Sequence, residues 1–249
     1  MDVSILILTY NRKHLASKYI PKIVENIGSI EAEVLIWDNG SVDGSYDWVY
    51  TYAKAAPVIK QVFGSTKNIG MEGINYLAKE ASGKYLIKVD DDIDVPNAFA
   101  QRLVDAYEET NETKLLFLSW DMPWSSPKKA AGKTFATRSG MHLYKEPNGK
   151  TVKIAKGGQV LIHYDPSFWM VNGACRLCPR DTFLEIGGHP KGIIYGVDKH
   201  ISIRAAEHGY WIGYYNTNDF VYHRGVQDLA QYRRMKDYEL HRVGSPKDV

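Results

Sequence analysis

The chain has 249 residues, 44% hydrophobic and 24% charged, enough for one large domain or two small ones with a substantial core. A formal charge of +2 and a pI near 8.3 lack the concentrated basic face expected of a nucleic-acid binder. The two cysteines, Cys175 and Cys178, exclude a disulfide framework, and one Cys-x-x-Cys pair alone does not complete tetrahedral zinc coordination, so it reads as two small buried residues near a strand.

In chain order, period and punctuation predict a buried strand at Val3–Thr9, a polar break at 11–13 and a helix around 15–27. The apolar run 3–8 is the longest and falls far short of the roughly 20 residues of a membrane span. No basic-then-apolar leader precedes it, so a soluble, cytoplasmic protein is expected. A second run, 33–37, ends in Asp38-Asn39-Gly40-Ser41, which is turn chemistry, before a helix over Ser45–Ala55. A strand at 58–63 and a helix at 70–81, ended by Ser82-Gly83, precede a fourth strand at 85–89 that runs into Asp90-Asp91-Asp92. This alternation implies parallel βαβ units, whose ligands bind beyond the carboxyl ends of the strands. Asn11-Arg12, Asp38-Asn39, Lys67-Asn68 and the acidic triplet each follow a strand, so four loops are expected to converge on one crevice.

A helix at 98–110 and a strand at Leu115–Trp120 follow, and then the pattern changes. Residues 122–137 carry Pro123, Pro127, Lys128, Lys129, Gly132 and Lys133 without apolar period, which predicts a mobile surface loop able to act as a lid, with Trp120 or Trp124 offering a ring to stack on a ligand. Pro147-Asn148-Gly149 predicts a hairpin between 142–144 and 151–154, with a further strand at 159–164. The segment 227–249 reads as a polar helix or tail. A polyanionic partner would dock on Lys128, Lys129, Lys133, Arg138, Arg233 and Arg234, for which solubility is the simpler role.

Three adjacent carboxylates at a strand end repel one another unless a cation neutralises them, and an all-oxygen set suits Mg²⁺ or Mn²⁺. The plainer reading is a solvated acidic turn, but the strand 85–89 should deliver this triplet into the crevice.

Further pieces recur in a definite order. They are Val3-Ser4-Ile5-Leu6-Ile7-Leu8-Thr9-Tyr10-Asn11-Arg12, then Asp38-Asn39-Gly40-Ser41-Val42-Asp43-Gly44-Ser45, Asn68-Ile69-Gly70 with Asn75, and Ser82-Gly83-Lys84-Tyr85 before the triplet. Later come Asn172-Gly173-Ala174, Pro179-Arg180-Asp181, Ile186-Gly187-Gly188 and the stretch 196–210. In these the chain resembles the inverting glycosyltransferases of the GT-A fold, often called family 2, over about residues 2–225.

The resemblance implies an α/β fold: a Rossmann-like nucleotide-sugar-binding half, 1–112, with a mostly parallel central sheet, fused in one continuous domain to a mixed α+β acceptor half, 113–226. It implies that Thr9, Tyr10, Asn11 and Arg12 line the nucleotide pocket, that Asp38, beside Asn39, receives the base edge, and that Lys67 and Asn68 approach the base or phosphates. Gly70, Asn75 and Asp90 complete the donor side. The triplet would hold Mn²⁺ or Mg²⁺ against the donor's diphosphate. Spacing from Pro96 favours Asp91 and the literal Asp-x-Asp pair favours Asp90 with Asp92, so all three stay in view.

His223 stands where related enzymes put a histidine against the metal or diphosphate, although a lone histidine is usually structural. Asp198 is the implied catalytic base. Val197 replaces the usual first acid, His200 stands where many members have another acid, and the plainer role for Asp198 is a helix N-cap or first-turn acid. Trp120, Asn172, Gly173, Asp198 and His200 form the implied acceptor side.

The implied partners are a nucleotide-sugar donor, a UDP-sugar in first place, and an acceptor hydroxyl on a glycan, a lipid-linked glycan or a small molecule, with nucleic acid the least expected. Two other readings stand beside this one. A sugar nucleotidyltransferase would need a Gly-rich phosphate loop after the first strand, where Leu8-Thr9-Tyr10-Asn11-Arg12-Lys13-His14 has no glycine. A nucleotide- or carbohydrate-binding module without turnover would explain Val197.

Overall fold

A computed structural model describes residues 1–120, 122, 149–166, 171–192, 196–219 and 221–224. The strands are β1 Val3–Thr9, β2 Ala32–Asp38, β3 Ile59–Gly64, β4 Tyr85–Asp90, β5 Ile93–Asp94, β6 Leu115–Trp120, β7 Gly149–Lys153, β8 Gln159–His163, β9 Cys175–Pro179, β10 Trp211–Asn216 and β11 Tyr222–His223. The helices are α1 Lys13–Glu25, α2 Ser45–Ala55, α3 Glu72–Glu80, α4 Phe99–Glu109, α5 Arg180–Glu185 and α6 Val197–Glu207. Nine strands make one sheet in the order β3-β2-β1-β4-β9-β6-β10-β8-β7, and β11 pairs with β5 in a second, two-stranded sheet.

Side chains alternate across β1, so Ile5 and Ile7 join Ile20 of α1, Val49 of α2 and Phe99 and Leu103 of α4 on one face. Leu6 points the other way, into a layer with Ile74 and Leu77 of α3, Phe183 of α5 and Ile201 of α6. The result is a three-layer α/β/α arrangement with β1, β4 and β6 almost fully buried at its centre. Strands β3, β2, β1 and β4 run parallel, as expected from the βαβ pattern, whereas β9 enters antiparallel between β4 and β6 and joins the two halves of the chain in one sheet.

Local chemistry fixes several joints. Asp43 caps two helices at once: Oδ2 accepts from Lys13 N–H at the start of α1, and Oδ1 from the backbone and hydroxyl of Ser45 at the start of α2. At the opposite sheet edge Glu33 accepts from Ser4 and Ser82. A Cβ at Gly83 would lie 2.5 Å from the Ser4 nitrogen, which is why a glycine ends that loop.

The structure departs from the sequence reading at one hairpin. Gly149, assigned to the turn, is the first residue of β7, and β7 pairs with β8 through a turn at 154–158. Gly157 (φ +101°) and Gly158 (φ +91°) make that turn, since both angles disfavour any other residue. The other arm, 142–148, lies outside the described residues, as do the proposed lid apart from Met122 and the segment 227–249. Among the described residues no helix is long and apolar enough to cross a membrane.

Candidate active site

The carboxyl ends of β1, β2 and β4 lie level: Thr9 is in register with Asp38, and Leu8 with Asp90. Asp90 closes β4, Asp91 and Asp92 turn the chain, and Ile93 enters β5. Because β5 pairs with β11, His223 sits opposite Ile93, and the register is reinforced by a bond from Arg224 N–H to the Asp92 carbonyl at 2.9 Å and by the Arg224 guanidinium on Asp94.

This pairing brings His223 Nε2 to 3.5 Å from Asp92 Oδ1 and 3.9 Å from Asp90 Oδ2. One ligand atom from each of the three residues lies within 4.8 Å of the others. Asp92 Oδ1 is buried without a hydrogen-bond partner, although its other oxygen takes Arg12 Nη1 at 2.8 Å. Burial pushes the Asp92 carboxyl up to about 6, against the pull of Arg12. Asp91 rises to about 7, again chiefly through burial, and packs near Arg12 at 3.5 Å rather than with the histidine. Asp90 moves down: burial opposes this, but the Lys88 ammonium outweighs it. Burial lowers His223, leaving a neutral imidazole able to ligate. Two carboxylates, one of them with an orphaned buried oxygen, and an imidazole fit a divalent cation, and they group the outer members of the triplet with His223.

A second carboxylate stands across Gly173. Asp198 lies in the first turn of α6, with its side chain 41% exposed and Oδ1 3.8 Å from Arg176 Nη1. Enclosure by the surrounding protein raises its pKa, opposed by Arg176, Lys88 and the Gly173 N–H. Lys88 Nζ donates to the Gly173 carbonyl at 2.5 Å and also pairs with Asp90.

The donor-side residues divide by what their polar atoms already do. Asp38 Oδ1 holds the N–H groups of Gly40 and Ser41, while Oδ2 is buried without a hydrogen-bond partner. Asn11, at φ +50°, accepts from Val42, and Asn68 accepts from Gly70, itself at φ +59°. Tyr10 is partly exposed and Lys67 exposed at the rim; Thr9 is fully buried. Asn39 is spent internally, on Trp37 Nε1 and the Gly70 carbonyl, and Asn75 on both backbone groups of His189.

The family model "Glycosyl transferase family 2" matches residues 4–170, two thirds of the chain. The chain belongs to glycosyl transferase family 2. Solved structures agree on the fold. A mannosyltransferase from Pyrobaculum calidifontis, PcManGT, in complex with GDP-Man and Mn²⁺, matches with a TM-score of 0.65 at 16% identity over 95% of this chain and 60% of its own. S. aureus TarS 1–349 matches at 0.61 and 16% over 94% and 64%, and the same protein in complex with UDP-GlcNAc at 0.56 and 16% over 92% and 62%. This family 2 chain therefore has the GT-A fold and spans about three fifths of those structures' lengths. No curated protein matches it.

In this family 2 chain Trp120 is a correction to the sequence reading. It is fully buried, edge-on to Tyr215 at 5.0 Å, with Nε1 bonded to the Asp219 carbonyl and Arg102 over its ring, so it has no face left for a sugar. Trp124 lies outside the described residues. On the acceptor side Asn172 Oδ1 holds the Ala174 N–H, and the exposed His200 turns Nδ1 back to the Gly196 carbonyl. Three groups escaped the sequence reading: Lys88, Arg176 and His189. The signal for Lys88 and Arg176 was a cation inside each of two buried strands, while His189, in the loop after α5, carried none.

Proposed function

We propose that the chain transfers a sugar from a nucleoside diphosphate donor to an acceptor hydroxyl with inversion, and that Asp198 is the base. The observation that carries this reading is the rim shared by two different carboxylate environments, Asp198 on one side of Gly173 and the Asp90–Asp92–His223 group on the other, tied by Lys88. The hydroxyl oxygen attacks the anomeric carbon as the bond from that carbon to the diphosphate breaks. The hydroxyl proton passes to Asp198, and the nucleoside diphosphate leaves with the bonding electron pair. Its raised pKa makes Asp198 a better proton acceptor than an ordinary surface carboxylate while leaving its Arg176 neighbour to favour the charged form.

Asp90, Asp92 and His223 would hold Mn²⁺ or Mg²⁺. Such an ion, when bound, offsets the negative charge growing on the departing diphosphate. The orphaned Asp38 Oδ2 is suited to a base-edge donor, and Arg12 serves Asp92 before any phosphate. The donors named for the similar structures, GDP-Man and UDP-GlcNAc, support a nucleotide sugar as the class, with a UDP-sugar first. The acceptor is taken to be a glycan, lipid-linked or small-molecule hydroxyl.

A thermal-shift screen of nucleoside diphosphates and nucleotide sugars with and without Mn²⁺, followed by a turnover assay on the donor it selects, tests the reading. A metal-dependent shift with turnover that falls about 10²- to 10⁴-fold in Asp198→Asn is expected. Binding without turnover in the parent chain would mark a recognition module instead.

A further inference from the structure

Lys88 of β4 and Arg176 of β9 are direct partners in the antiparallel ladder, so two cations stand side by side on one face of the sheet. Both are almost fully buried, and like charges opposite one another across strands are unfavourable. Such a pair persists only with counter-charges, and among the described residues these are Asp90 beside Lys88 and Asp198 beside Arg176.

Arg176 is wedged from two sides. Nη2 meets His189 Nε2, which must accept because a guanidinium only donates. His189 is itself clamped by both backbone bonds to Asn75, and burial next to Arg176 keeps it neutral. Phe117 lies 5.1 Å from the guanidinium carbon. Nη1 has no hydrogen-bond partner, and among the described residues Asp198 is the carboxylate that forms an ion pair with it, at 3.8 Å.

We propose that Arg176 is a positioning residue: held by His189 and Phe117, it fixes the Asp198 carboxylate against Gly173, while Lys88, bridging the Gly173 carbonyl and Asp90, keeps that carboxylate at a set distance from the metal-holding group. This rests on Asp198 being the base. It assigns a task to Asn75 as well, which acts through His189 and Arg176 instead of touching the donor.

The experiment combines Arg176→Gln, Asp198→Asn and the double variant, with release of nucleoside diphosphate from UDP-GlcNAc and from GDP-mannose in Mn²⁺ as the readout. Arg176→Gln should lower kcat about 10²-fold, the scale of a 1 Å misplacement, with the donor KM unchanged. The double variant should be no slower than Asp198→Asn alone. Parent-like turnover in Arg176→Gln, or losses that multiply in the double variant, overturns the proposal; parent-like turnover in Asp198→Asn instead removes the base reading beneath it.

If Arg176→Gln does not fold, Arg176→Lys replaces it. An ammonium keeps the charge but lacks the planar fork that serves His189 and Asp198 together, so about a tenfold loss with the same non-additivity is expected, and full activity counts against the assignment. Crystal structures of the folding variant and the parent give a readout independent of turnover. An Asp198 carboxylate that leaves Gly173 supports the proposal, and one that stays in place overturns it.

Discussion

The carboxylate of Asp198 occupies the space that a side chain at Gly173 would need: a Cβ there would lie 2.1 Å from Oδ1. Gly173 is otherwise buried in a loop whose carbonyl anchors Lys88, so the backbone has little room to retreat. Gly173→Ala should expel Asp198 and reduce turnover of the donor at least 10²-fold, while nucleotide affinity, read by calorimetry, stays within a few-fold of the parent.

The grouping of Asp90, Asp92 and His223 separates the three members of the acidic triplet. Asp92→Asn and His223→Ala should each weaken Mn²⁺ binding at least tenfold, since even groups that only support a ligand cost 10- to 100-fold. Asp91→Asn should leave it close to the parent. Isothermal titration with Mn²⁺ gives the order, and a larger loss at Asp91 than at Asp92 would reverse the proposed ligand set.

Asp91 carries a pH consequence of its own. Its carboxyl rises to about 7 from an ordinary value of 3.8, so the folded chain keeps a proton that the unfolded chain has already released. The stabilisation from that proton is present below about pH 4 and disappears as pH climbs through about 7. His189 and His223, both lowered, act in the opposite sense: the stability they contribute is present above the unfolded value of 6.5 and is lost as pH falls below it through their folded values. Comparing Asp91→Asn with the parent in a chelator cancels His189, whereas His223 feels the Asp91 charge and shifts further down when it is removed. The unfolding temperature of the variant should gain on the parent between pH 5 and pH 8, and a constant difference would contradict the shift.

Trp120 should behave as core. Trp120→Ala is expected to cost about 3–5 kcal/mol in denaturant unfolding, as for large buried aromatics, with nucleotide binding retained below the transition. A selective loss of nucleotide affinity without loss of stability would restore it to the site.

The parallel half was legible because β1, β2 and β4 are largely apolar runs followed by punctuation, and the Asp38 and Asp90 loops follow from that. The short pairing of β5 with β11 was not, since two residues per strand carry no period. Without that pairing nothing in the linear chain links His223 to the triplet, and the choice between Asp91 and the outer pair stays open in the sequence. Trp120 misled because the last residue of a strand reads as a rim position, yet here it packs inward against Tyr215. For Asn39 and Asn75, expected on the donor side, the structure adds a second use, tying down backbone, that a linear sequence does not announce. The buried Lys88 and Arg176 interrupted apolar strands in plain view, but nothing in a linear chain says that the two stand opposite each other.

His223 arrives from a strand some 130 positions downstream of Asp92, beyond the stretch that the family model matches. A nascent polypeptide that had emerged only as far as α6 would already own the acidic turn and Asp198, yet lack the imidazole that completes the trio. The grouping of these three side chains thus requires β11 to be seated on β5, and a trio drawn from distant parts of the chain rests on a pairing of two residues per strand.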